Sequence, residues 1–158
     1  MENIKVSTKI QDLAPNKQWH ISAAIFRWEG QPAHYSVLLL RRANSETLLG
    51  IWELPTGPVR VTDVNIAGAI KRQVLEDTGL PVTSIMAQVE PLRWESDFQS
   101  HRQINYGILD ESHQMVRINH EKHSDYRWVQ LKHLRAFDIP PATKEVIRDA
   151  FKIHTFWH

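Results

Sequence analysis

Arg72-Gln73-Val74-Leu75-Glu76-Asp77-Thr78-Gly79-Leu80 is the stretch that decides how this chain is read. Carried backward, it brings in Ile66, Ile70 and Val74 at four-residue spacing, an apolar stripe that predicts a helix over residues 63–78 with one face in a core. Thr62 or Asp63 is placed to cap its start, and Gly79 stands where a left-handed residue ends a helix. Beside the stripe, Gln73, Glu76 and Asp77 fall at i, i+3 and i+4, so their side chains leave one patch of helix surface. Arg72 lies one turn before Glu76.

Adjacent carboxylates in a last helical turn sit at the negative end of the helix dipole and call for a compensating cation. A divalent ion such as Mg²⁺ is one source, because it takes carboxylate oxygens, keeps several waters and is completed by substrate phosphates. The other is Arg72 itself, paired to Glu76 on a solvated acidic helix end. Local spacing admits both.

Working outward, residues 21–26 and 35–40 are short apolar runs separated by Glu29-Gly30-Gln31-Pro32, and they read as a buried strand pair. Further strands are predicted at 84–90, 103–109 and 126–129, and a second helix at 141–151, with Thr143 as its cap and Val146, Ile147, Ala150 and Phe151 on one face. Strands surrounding two helices predict an α+β or a layered α/β/α arrangement. With 158 residues, 42% of them hydrophobic, the chain suits one domain: a lead over 1–19, a core over 20–151 and a tail over 152–158. Having no cysteine, it has no thiol nucleophile, thiolate metal site or disulfide. The balance of 19 basic against 18 acidic residues argues against gripping a nucleic-acid backbone, and no apolar run is long enough for a membrane span. A cytoplasmic location is the expectation.

The run Gly50-Ile51-Trp52-Glu53-Leu54-Pro55-Thr56-Gly57 followed by the nine residues quoted above resembles the Nudix hydrolase signature, Gly-x5-Glu-x7-Arg-Glu-U-x-Glu-Glu-x-Gly-U with U aliphatic. Arg72, Val74, Glu76, Gly79 and Leu80 match in type, and Asp77 replaces a Glu conservatively. Further on, residues 121–129, Glu-Lys-His-Ser-Asp-Tyr-Arg-Trp-Val, are similar to a Glu-His segment followed by Trp-Val that many Nudix domains carry before the last helix. The resemblance implies an α/β/α sandwich with a central mixed sheet, and Mg²⁺- or Mn²⁺-dependent attack of water on a diphosphate in a small-molecule substrate. It implies Glu76 and Asp77 as metal ligands, Arg72 as the residue orienting the carboxylates, and Glu121 as an additional acidic ligand or base. Homodimers are common in the family.

This sequence also departs from the pattern. Gln73 stands where the family has a Glu, usually a principal metal ligand; its amide offers a carbonyl oxygen without charge, so metal affinity should fall. The interval from Gly57 to Arg72 is one residue longer than the consensus, which leaves Val64 or Asp63 at the place of the first Glu. Thr56 replaces the first glycine of a Gly-Gly pair, and Pro58 stiffens the loop.

Arg42, Arg93, Trp94 and Phe98 are the substrate-binding candidates: aromatic rings suited to clamp a planar or apolar group beside arginines suited to phosphate. Among nine histidines the close pairs, His120 with His123 and His154 with His158, lack the third ligand of a zinc site; His123 is placed near the substrate mouth. Two rivals share the scaffold. One is a binding module with an impaired metal site, favoured by Gln73 and the altered loop; the other is a non-hydrolytic biosynthetic enzyme.

Overall fold

Residues 21–26 lie inside a strand because both of its faces are apolar, the pattern of a strand covered on both sides. The computed structural model describes residues 4–30, 33–43 and 50–154; Gln31 and Pro32 of the expected turn, and His158, fall outside them. In chain order the strands are β1 (Lys17–Gly30), β2 (Ala33–Arg42), β3 (Trp52–Glu53), β4 (Thr56–Pro58), β5 (Ser84–Ser96), β6 (Gln99–Leu109) and β7 (His123–Val129). Helix α1 (Ile66–Thr78) follows β4 and helix α2 (Pro141–His154) follows β7. The sheet runs β3-β2-β1-β6-β5, with β4 on β1 and β7 on β2. The β1–β6 pair is parallel and the others are antiparallel, so the sheet is mixed.

Alternation along β1 sorts its side chains between two cores. Ile21, Ala23 and Ile25 pack with Ile66, Ile70 and Val74 of α1, while Ala24 and Phe26 pack with Val146, Ile147, Ala150 and Phe151 of α2. The layers are therefore helix, sheet, helix, the α/β/α sandwich expected.

Three local expectations are corrected. Helix α1 begins at Ile66, later than 63, because Asn65 caps it: the Asn65 side-chain oxygen accepts from Gly68 N–H at 2.8 Å. Asp63 is drawn away from capping by Arg72, and the lead supplies the remaining acceptors, with Thr8 and Val6 carbonyls taking the N–H groups of Ile66 and Ala67. Helix α2 starts at Pro141, which suits a first helical position, so Thr143 lies inside the first turn. Strands β5 and β6 extend beyond the predicted bounds into a long hairpin turned at Asp97 and Phe98, both with positive φ.

Candidate functional site

Register brings the first group of site residues together. Leu40 pairs with Glu53 across β2 and β3, and Arg42 pairs with His123 across β2 and β7 at an irregularity of the ladder. The ends of three strands thus place Arg42, Glu53 and His123 side by side. Arg42 donates to one Glu53 oxygen, and His123 Nε2 lies 3.3 Å from the other. His123 is buried, and its Nδ1 has no hydrogen-bond partner among the described residues. Burial pushes the Glu53 carboxyl up, but the hydrogen bonds from His123 and Arg42, with the charge of Arg42, outweigh it and hold Glu53 below the ordinary carboxylate range.

The second group is built on the last turns of α1, ended by Gly79 in the left-handed conformation (φ 72°). Asp77 is wholly buried and Gln73 is 3% exposed. The Gln73 amide donates to Asp77 Oδ2 at 3.0 Å, and the Lys122 ammonium lies 2.6 Å from Asp77 Oδ1. Glu76 turns outward and takes Arg60 at 2.8 Å, with Arg72 further off at 3.5 Å. Arg72 chiefly holds Asp63, at 2.8 and 2.9 Å, and also donates to the Pro58 carbonyl at 3.1 Å. The Arg72–Glu76 pairing expected from spacing is thus the weaker one, because the 59–65 loop carries Asp63 back onto the guanidinium. Gly57 is pressed against the helix: a Cβ there would stand 2.2 Å from Gln73 Oε1. No side chain fits at this point, which is why the loop has glycine.

A cleft lies beside both groups. One cavity of about 390 Å³ is bounded by His20, Arg42, Glu53, Gly57, Gln103 and Thr143. A second, of about 260 Å³, shares Arg42, Glu53 and Thr56 with it and adds Glu121, Lys122 and His123. Arg42 and Glu121 therefore face the cleft. Glu76 and Asp77 line neither cavity; Gly57 stands between the larger cavity and Gln73, and Lys122 reaches from the smaller one to Asp77. Among the described residues no three histidine or carboxylate side chains converge as a metal cluster, in keeping with an amide at position 73.

The aromatic candidates sit differently. Trp94 stacks on His101 with ring centroids 4.9 Å apart and lies 5.1 Å from the ring of His20, so it touches the cavity wall through His20. Burial, and then the charge of His101, lower the pKa of His20. Phe98 stands fully exposed at the hairpin tip, and Arg93 is an exposed residue of β5; neither bounds the two cavities. Reading the sequence alone missed Glu53, Lys122, Arg60 and His20. Glu53 and Lys122 lay within the quoted segments, but nothing local distinguishes a cleft residue from a surface charge. Among the described residues no helix is long and apolar enough to cross a membrane.

Three carboxylates held by hydrogen bonds and ion pairs make stability depend on acid. Glu53, Asp63 and Asp110 all have folded-state pKa values below the ordinary range; for Asp63 the hydrogen bond from Arg72 leads, and for Asp110 bonds from Ser112 and Arg27 outweigh burial. Their contribution is complete above the unfolded-state values near pH 4 and is lost as pH falls through the lower folded values. Acid unfolding followed by far-ultraviolet circular dichroism should therefore begin only below about pH 4. Asp110→Asn should flatten the slope there, by about 1.4 kcal/mol for each unit of pKa difference removed.

The family model for the NUDIX domain matches residues 17–150. The chain is 32% identical over 98 residues to the 8-oxo-dGTP diphosphatase of Buchnera aphidicola subsp. Acyrthosiphon pisum (strain APS), an alignment covering 61% of this chain and 74% of the relative. Among solved structures, the NUDIX domain of Shewanella oneidensis NrtR, complexed with ADP ribose, superposes with a TM-score of 0.73 at 21% identity, covering 92% of this chain and 96% of that one. A C. elegans Ap4A hydrolase, in a binary complex, superposes with a TM-score of 0.69 at 16% identity, covering 89% of this chain and 99% of that one. At these identities the structural likeness is one of fold.

Proposed function

The chain belongs to the Nudix family and is a diphosphate hydrolase of that type, and from this premise we propose that it cleaves a diphosphate linkage in a nucleotide or similar small molecule with Mg²⁺ or Mn²⁺. The observation that carries the reading is the buried Asp77–Gln73 pair at the end of α1, beside a cleft whose wall holds Arg42 and Glu121. The donor set suits a hard divalent cation: the Asp77 and Glu76 carboxylates, with the Gln73 carbonyl oxygen, are all oxygen ligands. Gly57, lacking a Cβ, lets the loop backbone come up against Gln73 Oε1. When bound there, such an ion neutralises phosphate oxygens and lowers the pKa of water.

The chain's own groups supply the rest. Arg42 offers a planar fork to a phosphate at the junction of the two cavities, and Glu53 holds that fork in place. Glu121, exposed at the rim of the smaller cavity, accepts the proton of the water as its oxygen bonds to phosphorus. The bridging P–O bond breaks and the two phosphate products part. Arg72 is a positioning residue: by clamping Asp63 and the Pro58 carbonyl it fixes the loop against the helix end. The larger cavity, at about 390 Å³, lies within the range of small-molecule sites and receives the group attached to the diphosphate. The 8-oxo-dGTP diphosphatase relative supports a nucleoside for that group.

The experiment is release of phosphate or nucleoside monophosphate from a panel of nucleotide and isoprenyl diphosphates, with and without Mg²⁺ or Mn²⁺. Metal-dependent turnover is expected, and Glu76→Gln should lower it by about tenfold or more. Binding of a nucleotide without turnover across the panel would favour the impaired binding module instead.

A further inference from the structure

Lys122 joins the cleft to the buried end of α1. Its side chain is 43% exposed and helps bound the smaller cavity, yet its ammonium lies 2.6 Å from Asp77, whose side chain has no exposure. The other Asp77 oxygen is taken by the Gln73 amide. Asp77 thus holds one neutral donor and one cation, and a second cation arriving from the cleft must displace the ammonium. The two partners are unequal in freedom. Asp77 is fixed on a helix in the core, so without a counter-charge it remains a buried anion, a costly state. Lys122 is held by its backbone, with its N–H donated to Asn119 and its carbonyl accepting from Ala43, and only its half-exposed side chain has to swing into water.

We propose that Lys122 is a tethered counter-ion that competes with the divalent ion for Asp77 and thereby sets the affinity of the site, an inference that rests on the metal-dependent reading above. The exchange costs more for a bare ion, which leaves Lys122 without a partner, than for an ion arriving with a diphosphate, whose negative charge in the smaller cavity receives the displaced ammonium. Metal and substrate therefore enter together.

The test is Mn²⁺ binding to the full chain, followed by electron paramagnetic resonance of the free ion, for the wild type, Lys122→Met and Lys122→Gln. Both variants should bind Mn²⁺ about tenfold more tightly, since the competing charge is gone. Methylene diphosphonate should tighten Mn²⁺ binding in the wild type far more than in either variant. Lys122→Met should melt at a lower temperature than the wild type without metal and recover when Mn²⁺ is added; Lys122→Gln keeps a donor for Asp77 and serves if the Met variant does not fold. Adding Asp77→Asn to Lys122→Gln should cancel the gain. Equal or weaker Mn²⁺ binding by the variants, with metal-dependent turnover intact in the wild type, overturns the competition alone. No Mn²⁺ binding by any of the proteins, with no metal-dependent turnover, overturns both this proposal and the reading it rests on.

Discussion

Asp77→Asn is expected to lower metal-dependent turnover by about 100-fold or more while leaving the fold intact. The reason lies in how the position is surrounded. Asn has the same shape as Asp, so it fills the same buried space beneath Gln73, and its carbonyl oxygen still accepts the Gln73 amide. What it removes is the charge. Lys122 loses its partner, but its half-exposed side chain regains water, so the substitution does not leave a buried cation behind. A stability loss of no more than about 1–2 kcal/mol should accompany the large fall in activity. The measurements are kcat/KM with the best substrate of the panel and a thermal melt of each protein. A variant that keeps its turnover would remove Asp77 from the metal set; one that loses activity only because it unfolds would give Asp77 a structural role.

Gln73→Glu is expected to act in the opposite direction. Gln73 Nε2 now donates to Asp77 at 3.0 Å, and replacing the amide by a carboxylate puts two anions at that separation in a site with almost no exposure. Like charges so close either share a proton or hold a cation. Without metal the variant should therefore melt at a lower temperature than the wild type. With Mg²⁺ or Mn²⁺ it should regain that loss, bind the ion about tenfold more tightly and turn over faster, because affinity for hard cations follows the number of charged ligands. Gly57, with its missing Cβ directly over Gln73 Oε1, leaves room for the new carboxylate to keep the same position. Equilibrium Mn²⁺ titration and steady-state kinetics check both halves. If neither changes, the ion does not sit at the end of this helix.

The sequence by itself determined the layers of this protein. Hydrophobic spacing does this for the elements: Ile66, Ile70 and Val74 mark one helix face, and the run at 21–26, apolar but for Ser22, marks a strand covered on both sides; the Arg72 to Leu80 stretch marks the family. Those signals are local, since each depends on spacing within one element. Element ends were less legible, because the competition that sets them is not local: Asp63 was a plausible cap until the loop brought it to Arg72, and Asn65 took its place. Only the tertiary structure decided which charge meets which. Arg60 reaches Glu76 across 16 positions, Lys122 reaches Asp77 across 45 and His123 reaches Glu53 across 70. Strand register, rather than any motif, assembles Arg42, Glu53 and His123 at one mouth and sends Phe98 to the tip of a hairpin. An ionisable side chain carries no periodic signature, and its partner is fixed only when the sheet has chosen its neighbours.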